Sequence, residues 1–61
     1  MVLDKCMAYY NIKHYRYDIK DKILVIYESM TVKKFVQLKW SLYILCKYHG
    51  LKLNDIMIKE R

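Results

Sequence analysis

The segment from Val32 to His49 constrains the fold most, because it forms one long helical pattern in a chain of 61 residues. Ser29 or Thr31 can cap its N-terminus, and Gly50 stands where a left-handed C-cap is favoured. A projection at about 100° per residue places a broad apolar sector on one side of this helix. The predicted core face comprises Phe35, Leu38, Leu42, Leu45, Cys46 and His49, with Val32 and Tyr43 at its edge.

A second apolar series runs along the same helix at intervals of four residues. It consists of Val36, Trp40, Ile44 and Tyr48, which stack along one side of a helix. One sheet cannot cover this series and the core face together. The series is either a set of partly exposed aromatics at the core edge or an interface with a second copy or another protein, since Trp and Tyr dominate interface energetics. We predict an interface.

The N-terminal third of the chain combines two patterns. From Ala8 to Ile19 apolar and polar residues alternate, which predicts a strand with Tyr15, Tyr17 and Ile19 on one face. The apolar side switches near Lys13, which a β-bulge would explain. The segment 2–10 also fits helical spacing, so its conformation stays open.

Two further strands complete the predicted sheet. Ile23 to Tyr27 is an apolar, β-branched run typical of a central strand covered on both faces, and Lys20–Lys22 forms the turn before it. Leu51 to Ile58 is a last strand or, alternatively, a short helix capped by Asn54. A right-handed crossover makes this strand parallel to the central one. We predict one α+β domain over residues 1–61: a three-stranded sheet (β-hairpin, helix, third strand) with one long helix packed on one face.

Composition limits the classes of function. The chain has no Pro and one Gly, so no flexible linker divides it. With 56 % apolar residues it should fold, although so short a chain cannot enclose a large active site. No window resembles a membrane span or a signal peptide, so we expect the cytoplasm. The many Ile, Lys and Tyr residues are typical of an AT-rich genome such as that of a phage or mobile element.

Positive charge suggests the chemistry of a partner. Twelve Lys and Arg against six Asp and Glu give a net charge of +6. We predict charged contacts by Lys13, Arg16, Lys33 and Lys34, and we name Tyr15 and Tyr17 as candidates for stacking on bases. Such a surface can bind single-stranded nucleic acid or an acidic protein surface, or can simply keep the protein in solution.

Chemically reactive residues are sparse. Cys46 and His49 have a spacing that suits one metal ion, and Cys6 and His14 could complete the set, but compact ligand motifs are absent. We therefore expect no metal, cofactor, small-molecule substrate or catalytic residue. The prediction is a non-enzymatic basic interaction protein, a homodimer that regulates or inhibits a larger protein. The alternative is a nucleic-acid-binding module with a Tyr- and Lys-rich hairpin.

Overall fold

The computed structural model describes residues 2–59 and shows a small α+β domain. The elements follow in the order α1 (Val2–Tyr9), β1 (Tyr15–Asp18), β2 (Ile23–Ile26), α2 (Val32–Tyr48) and β3 (Asp55–Ile58). The predicted fold class is therefore confirmed, with the addition of a short N-terminal helix.

The sheet has the predicted order, with β2 in the centre. β1 pairs with β2 in the antiparallel direction, and β3 pairs with β2 in parallel. The last segment is thus a strand rather than a helix capped by Asn54. Residues 19–22 form the turn before β2, and Asp18 Oδ1 accepts a hydrogen bond of 3.0 Å from the Asp21 N–H within it. Lys22 has a positive φ of 57° there, the conformation that Gly or Asn adopts more readily.

The prediction of a strand from Ala8 to Ile19 was wrong at both ends. Residues up to Tyr9 form α1, because Leu3 and Met7 lie four apart and are both buried on one side of a helix. Asn11 then adopts a positive φ of 58°, which turns the chain toward β1. This turn accounts for the change of apolar side, and the predicted bulge is unnecessary. Ile19 lies in the turn and is exposed, so it does not share a face with Tyr15.

Helix α2 begins and ends close to the predicted residues. The Thr31 hydroxyl caps it by accepting a hydrogen bond of 3.1 Å from the Lys34 N–H, and Ser29 has no part in this cap. At the other end Gly50 has φ 75°, as a left-handed C-cap requires. His49 is exposed because it lies after the last helical turn, so its predicted place in the core was wrong.

One hydrophobic cluster joins residues of α1, β2 and α2. Its buried members are Leu3, Met7, Ile12, Leu24, Ile26, Leu38 and Leu42. Side chains of the sheet's inner face also belong to it or pack against it: Tyr15, Tyr17, Leu24, Ile26, Ile56 and Ile58. Within one chain only one face of β2 is covered, because Leu24 and Ile26 are completely buried whereas Ile23 and Val25 are only half-buried.

Candidate interaction surface

Six apolar side chains form a continuous exposed surface along α2, which we name the outer stripe. Its members are Val32, Val36, Trp40, Tyr43, Ile44 and Tyr48. Trp40 is 65 % exposed and Tyr48 is 68 % exposed, whereas Leu38 on the opposite side of the helix is completely buried. All four residues predicted as an interface lie in this stripe. Val32 and Tyr43 belong to it as well, although their angular position suggested the edge of the core.

The aromatic centre of the outer stripe is preorganised. The rings of Trp40 and Tyr43 stack with centroids 5.6 Å apart and an interplanar angle of 23°. Together with Val36 and Lys39 they line a shallow depression. Because stacked rings lose little conformational freedom on binding, they are favourable anchors for a partner.

Lysines flank the outer stripe, and α2 itself contains no acidic residue. Helix α2 contains Lys33, Lys34, Lys39 and Lys47 and neither Asp nor Glu. The Lys39 ammonium lies 5.4 Å from the centre of the Phe35 ring. The Lys47 ammonium lies 5.9 Å from the centre of the Tyr43 ring and 5.5 Å from that of Tyr48. The stripe therefore presents aromatic and positively charged groups together.

The four predicted charged contacts do not form one patch. Glu28 binds the backbone beside one of them: its Oε2 accepts hydrogen bonds of 2.5 Å from the Lys13 N–H and 2.6 Å from the His14 N–H. These bonds, chiefly that of His14, lower the pKa of the Glu28 carboxyl, and the charge of Lys34 adds to this effect. An anion thus already occupies the space near Lys13 and Lys34. Lys33 is exposed in the first turn of α2.

Arg16, the fourth predicted contact, lies apart from this group. It is exposed on β1, where its neighbour across the sheet is Val25. It therefore belongs to the outer face of the sheet rather than to the N-terminus of α2.

The predicted stacking residues Tyr15 and Tyr17 lie on the inner face of the sheet. Both are half-buried against the core. The Tyr15 hydroxyl donates a hydrogen bond of 2.7 Å to Asp4 Oδ1, which raises the pKa of Tyr15. The Tyr17 hydroxyl donates one of 2.6 Å to the Lys52 carbonyl. Both rings are thus engaged in the packing of the domain.

The remaining candidate side chains are those that could bind a metal ion or react as a nucleophile. Within residues 2–59 no three His, Cys, Asp or Glu side chains are grouped so that they could hold a metal ion. Cys6 is half-buried, and this burial raises the pKa of its thiol, which lowers the fraction of reactive thiolate. Over the same residues, neither helix combines the length and hydrophobicity that a membrane crossing requires.

Comparisons of the chain with protein-family models, with curated proteins and with solved structures give no match.

Proposed function

We propose that this protein acts by binding rather than by catalysis, and that it regulates or inhibits a larger cytoplasmic protein by covering an acidic, partly apolar surface. The observation that carries the proposal is the outer stripe: six exposed apolar side chains on a helix that has four lysines and no acidic residue. Large exposed apolar patches mark interaction sites in small proteins.

The composition of the stripe suits a protein partner. Trp and Tyr are enriched among residues that contribute more than about 2 kcal/mol each to binding. Trp40 and Tyr43 lie near the middle of α2, and further apolar residues continue the surface in both directions. A partner helix or loop with apolar anchors can bury the centre of the stripe while the lysines remain at the rim.

Charge distinguishes between two possible occupants of the stripe. A symmetric pair of α2 helices would bring together four lysines from each copy, eight in all, without an acidic residue on either helix. Like charges at an interface oppose binding, and opposite charges favour it and accelerate encounter. An acidic partner is thus the better match for this surface than a second copy of α2.

The proposal can be tested with synthetic peptides, because Trp40 is the chain's one tryptophan and lies in the stripe. The probe is an amphipathic helical peptide with Leu and Phe on one side and Glu on the flanks. We expect it to shift the Trp40 emission to shorter wavelength as the indole leaves water. A scrambled peptide of the same composition is the matched control, because it retains the charge and loses the apolar face.

Variants that keep the fluorophore complete this test. Val36→Ser with Ile44→Ser should weaken peptide binding by about tenfold or more, and Lys39→Glu with Lys47→Glu should do the same. Equal affinity for the scrambled peptide, or binding unaffected by both pairs of substitutions, would contradict the proposal. Tight binding of oligo-dT that persists at physiological salt would favour the nucleic-acid alternative, because binding by nonspecific charge attraction is weak under that condition.

A further inference from the structure

The outer face of the sheet is a second uncovered apolar surface. Six residues point to it by strand register: Arg16, Asp18, Ile23, Val25, Asp55 and Met57. Among the described residues, none of these six belongs to the core cluster or packs against it. Met57 is 39 % exposed and Val25 is half-buried. This is unusual, because the solvent-exposed face of a sheet usually carries polar residues.

The six residues form two rows across the three strands. Arg16 pairs with Val25, which pairs with Met57. Asp18 pairs with Ile23, which pairs with Asp55. The first row thus carries a positive charge at β1, and the second carries a negative charge at β1 and another at β3. These six residues include one cation and two anions, whereas the charged residues of α2 are all lysines.

We propose that this face binds a second copy of the same chain, with the two sheets face to face and their strands antiparallel. Consider a twofold axis that runs across the strands between the two rows. It places Arg16 over Asp18 of the second copy, and by symmetry Asp18 over Arg16, so that two pairs of opposite charge form. Val25 then lies over Ile23 of the second copy, which gives the interface an apolar centre.

The charges also exclude the other face-to-face twofold arrangement. An axis along the strands would place Asp18 over Asp55 of the second copy, which is a repulsive contact, and Arg16 over Met57. The antiparallel arrangement has no contact between like charges among these six residues. The pattern of charges therefore selects both the occupant and its orientation.

The size of the face sets the strength of the dimer. Four residues per strand span about 13 Å, and three strands span about 10 Å between the outer two. This area is smaller than the roughly 800 Å² per partner of a standard stable interface. We therefore expect a dissociation constant in the micromolar range or weaker, and a population of dimer that rises with concentration.

Reversing the charges of Arg16 and Asp18 tests their proposed pairing across the dimer directly. Sedimentation equilibrium from about 10 µM to about 1 mM should show a monomer–dimer equilibrium for the unchanged chain. Arg16→Glu alone and Asp18→Arg alone should each raise the dissociation constant by about tenfold or more, because each creates two like-charge contacts. An equimolar mixture of the two variants should regain the dimer, because each altered residue then faces an opposite charge. Circular dichroism checks that each variant is folded.

A second pair of variants tests the same arrangement at Met57, on the exposed side of an edge strand. Met57→Asp would face Asp55 of the second copy and should weaken the dimer, whereas Met57→Lys should retain or strengthen it. A monomer at all concentrations overturns the proposal. So does a dimer that tolerates Arg16→Glu and Met57→Asp but is lost on Trp40→Lys, since that result places self-association on α2. A monomer at all concentrations would leave peptide binding by the outer stripe unaffected, so this proposal can fail separately from the proposed function.

Discussion

The protein has two uncovered apolar surfaces, the outer stripe of α2 and the outer face of the sheet, and they differ in charge. The stripe lies on a helix with four lysines and no acidic residue. The sheet face combines Arg16 with Asp18 and Asp55 around Ile23, Val25 and Met57. Both surfaces leave apolar side chains uncovered by the rest of the chain, so apolar character alone does not assign a partner to either. Charge makes one suitable for an acidic partner and the other suitable for a second copy.

If both proposals hold, this difference in charge keeps the two contacts of the chain separate. Two copies joined through the sheet would leave both outer stripes free for partners. Two copies joined through α2 would instead bring eight lysines together. Specificity in such a case comes from the unfavourable contact as much as from the favourable one.

The largest expected effect is a difference in stability between substitutions on the two sides of α2. Leu38→Ala should lower the free energy of unfolding by about 2–5 kcal/mol, because Leu38 is completely buried in the core. Trp40→Ala should lower it by less than about 1 kcal/mol, because the indole is 65 % exposed. Chemical denaturation followed by circular dichroism measures both changes.

If Leu38→Ala leaves the chain unfolded, a milder substitution in the core can take its place in this comparison. Ile26→Val should cost about 0.5–1.5 kcal/mol and still allow a complete transition. If Trp40→Ala destabilises the fold as strongly as Leu38→Ala, the stripe is part of the core and its role as a binding surface is wrong.

An intermediate effect is expected for the tyrosines of the inner face. Tyr17→Phe removes the hydrogen bond from its hydroxyl to the Lys52 carbonyl and should cost about 0.5–1.5 kcal/mol. Because the ring contributes to the fold, the same substitution should leave any binding of oligo-dT unchanged. Thermal unfolding and a fluorescence anisotropy titration measure the two quantities. Unchanged stability together with lost binding would instead make Tyr17 a stacking residue.

The smallest expected effect concerns Glu28, near the N-terminus of α2. Backbone N–H groups of His14 and Lys13 lower the pKa of its carboxyl in the folded protein. A lowered folded pKa means that Glu28 stabilises the fold above its ordinary pKa of about 4.3 and that this contribution is lost as the pH falls through the folded value. Glu28→Gln should therefore show a smaller loss of stability between neutral and acidic pH than the unchanged chain. Equal pH profiles would contradict this role.

Most of the fold could be predicted from the sequence, because its strongest patterns are local. The β-branched run at β2, the cap at Thr31 and the glycine at Gly50 each act on their own neighbours. Helix α1 was harder to predict because Tyr10 and Ile12 fit the alternation of a strand, whereas Leu3, Met7 and Tyr10 fit the spacing of a helix. The left-handed Asn11 ends the helix: its N–H donates to the Ala8 carbonyl, and the Ile12 N–H donates to the Met7 carbonyl.

The two surfaces differed in how far they could be predicted. The outer stripe follows from the period of one helix, so Val36, Trp40, Ile44 and Tyr48 were identified without a structure. The outer face of the sheet depends on which residues of three strands are neighbours. The alternation along β1 places Arg16 and Asp18 on one face, but only the register across the strands brings Asp55 to the same face.

The most direct test of the two-surface account is the fluorescence of Trp40, measured together with molecular mass as the protein concentration rises. We predict that the mass increases from monomer toward dimer while the emission wavelength and the quenching by acrylamide stay those of an exposed indole. Addition of the amphipathic acidic peptide should then shift the emission and reduce the quenching. A shift to shorter wavelength that follows dimer formation itself would place self-association on the outer stripe and contradict the account.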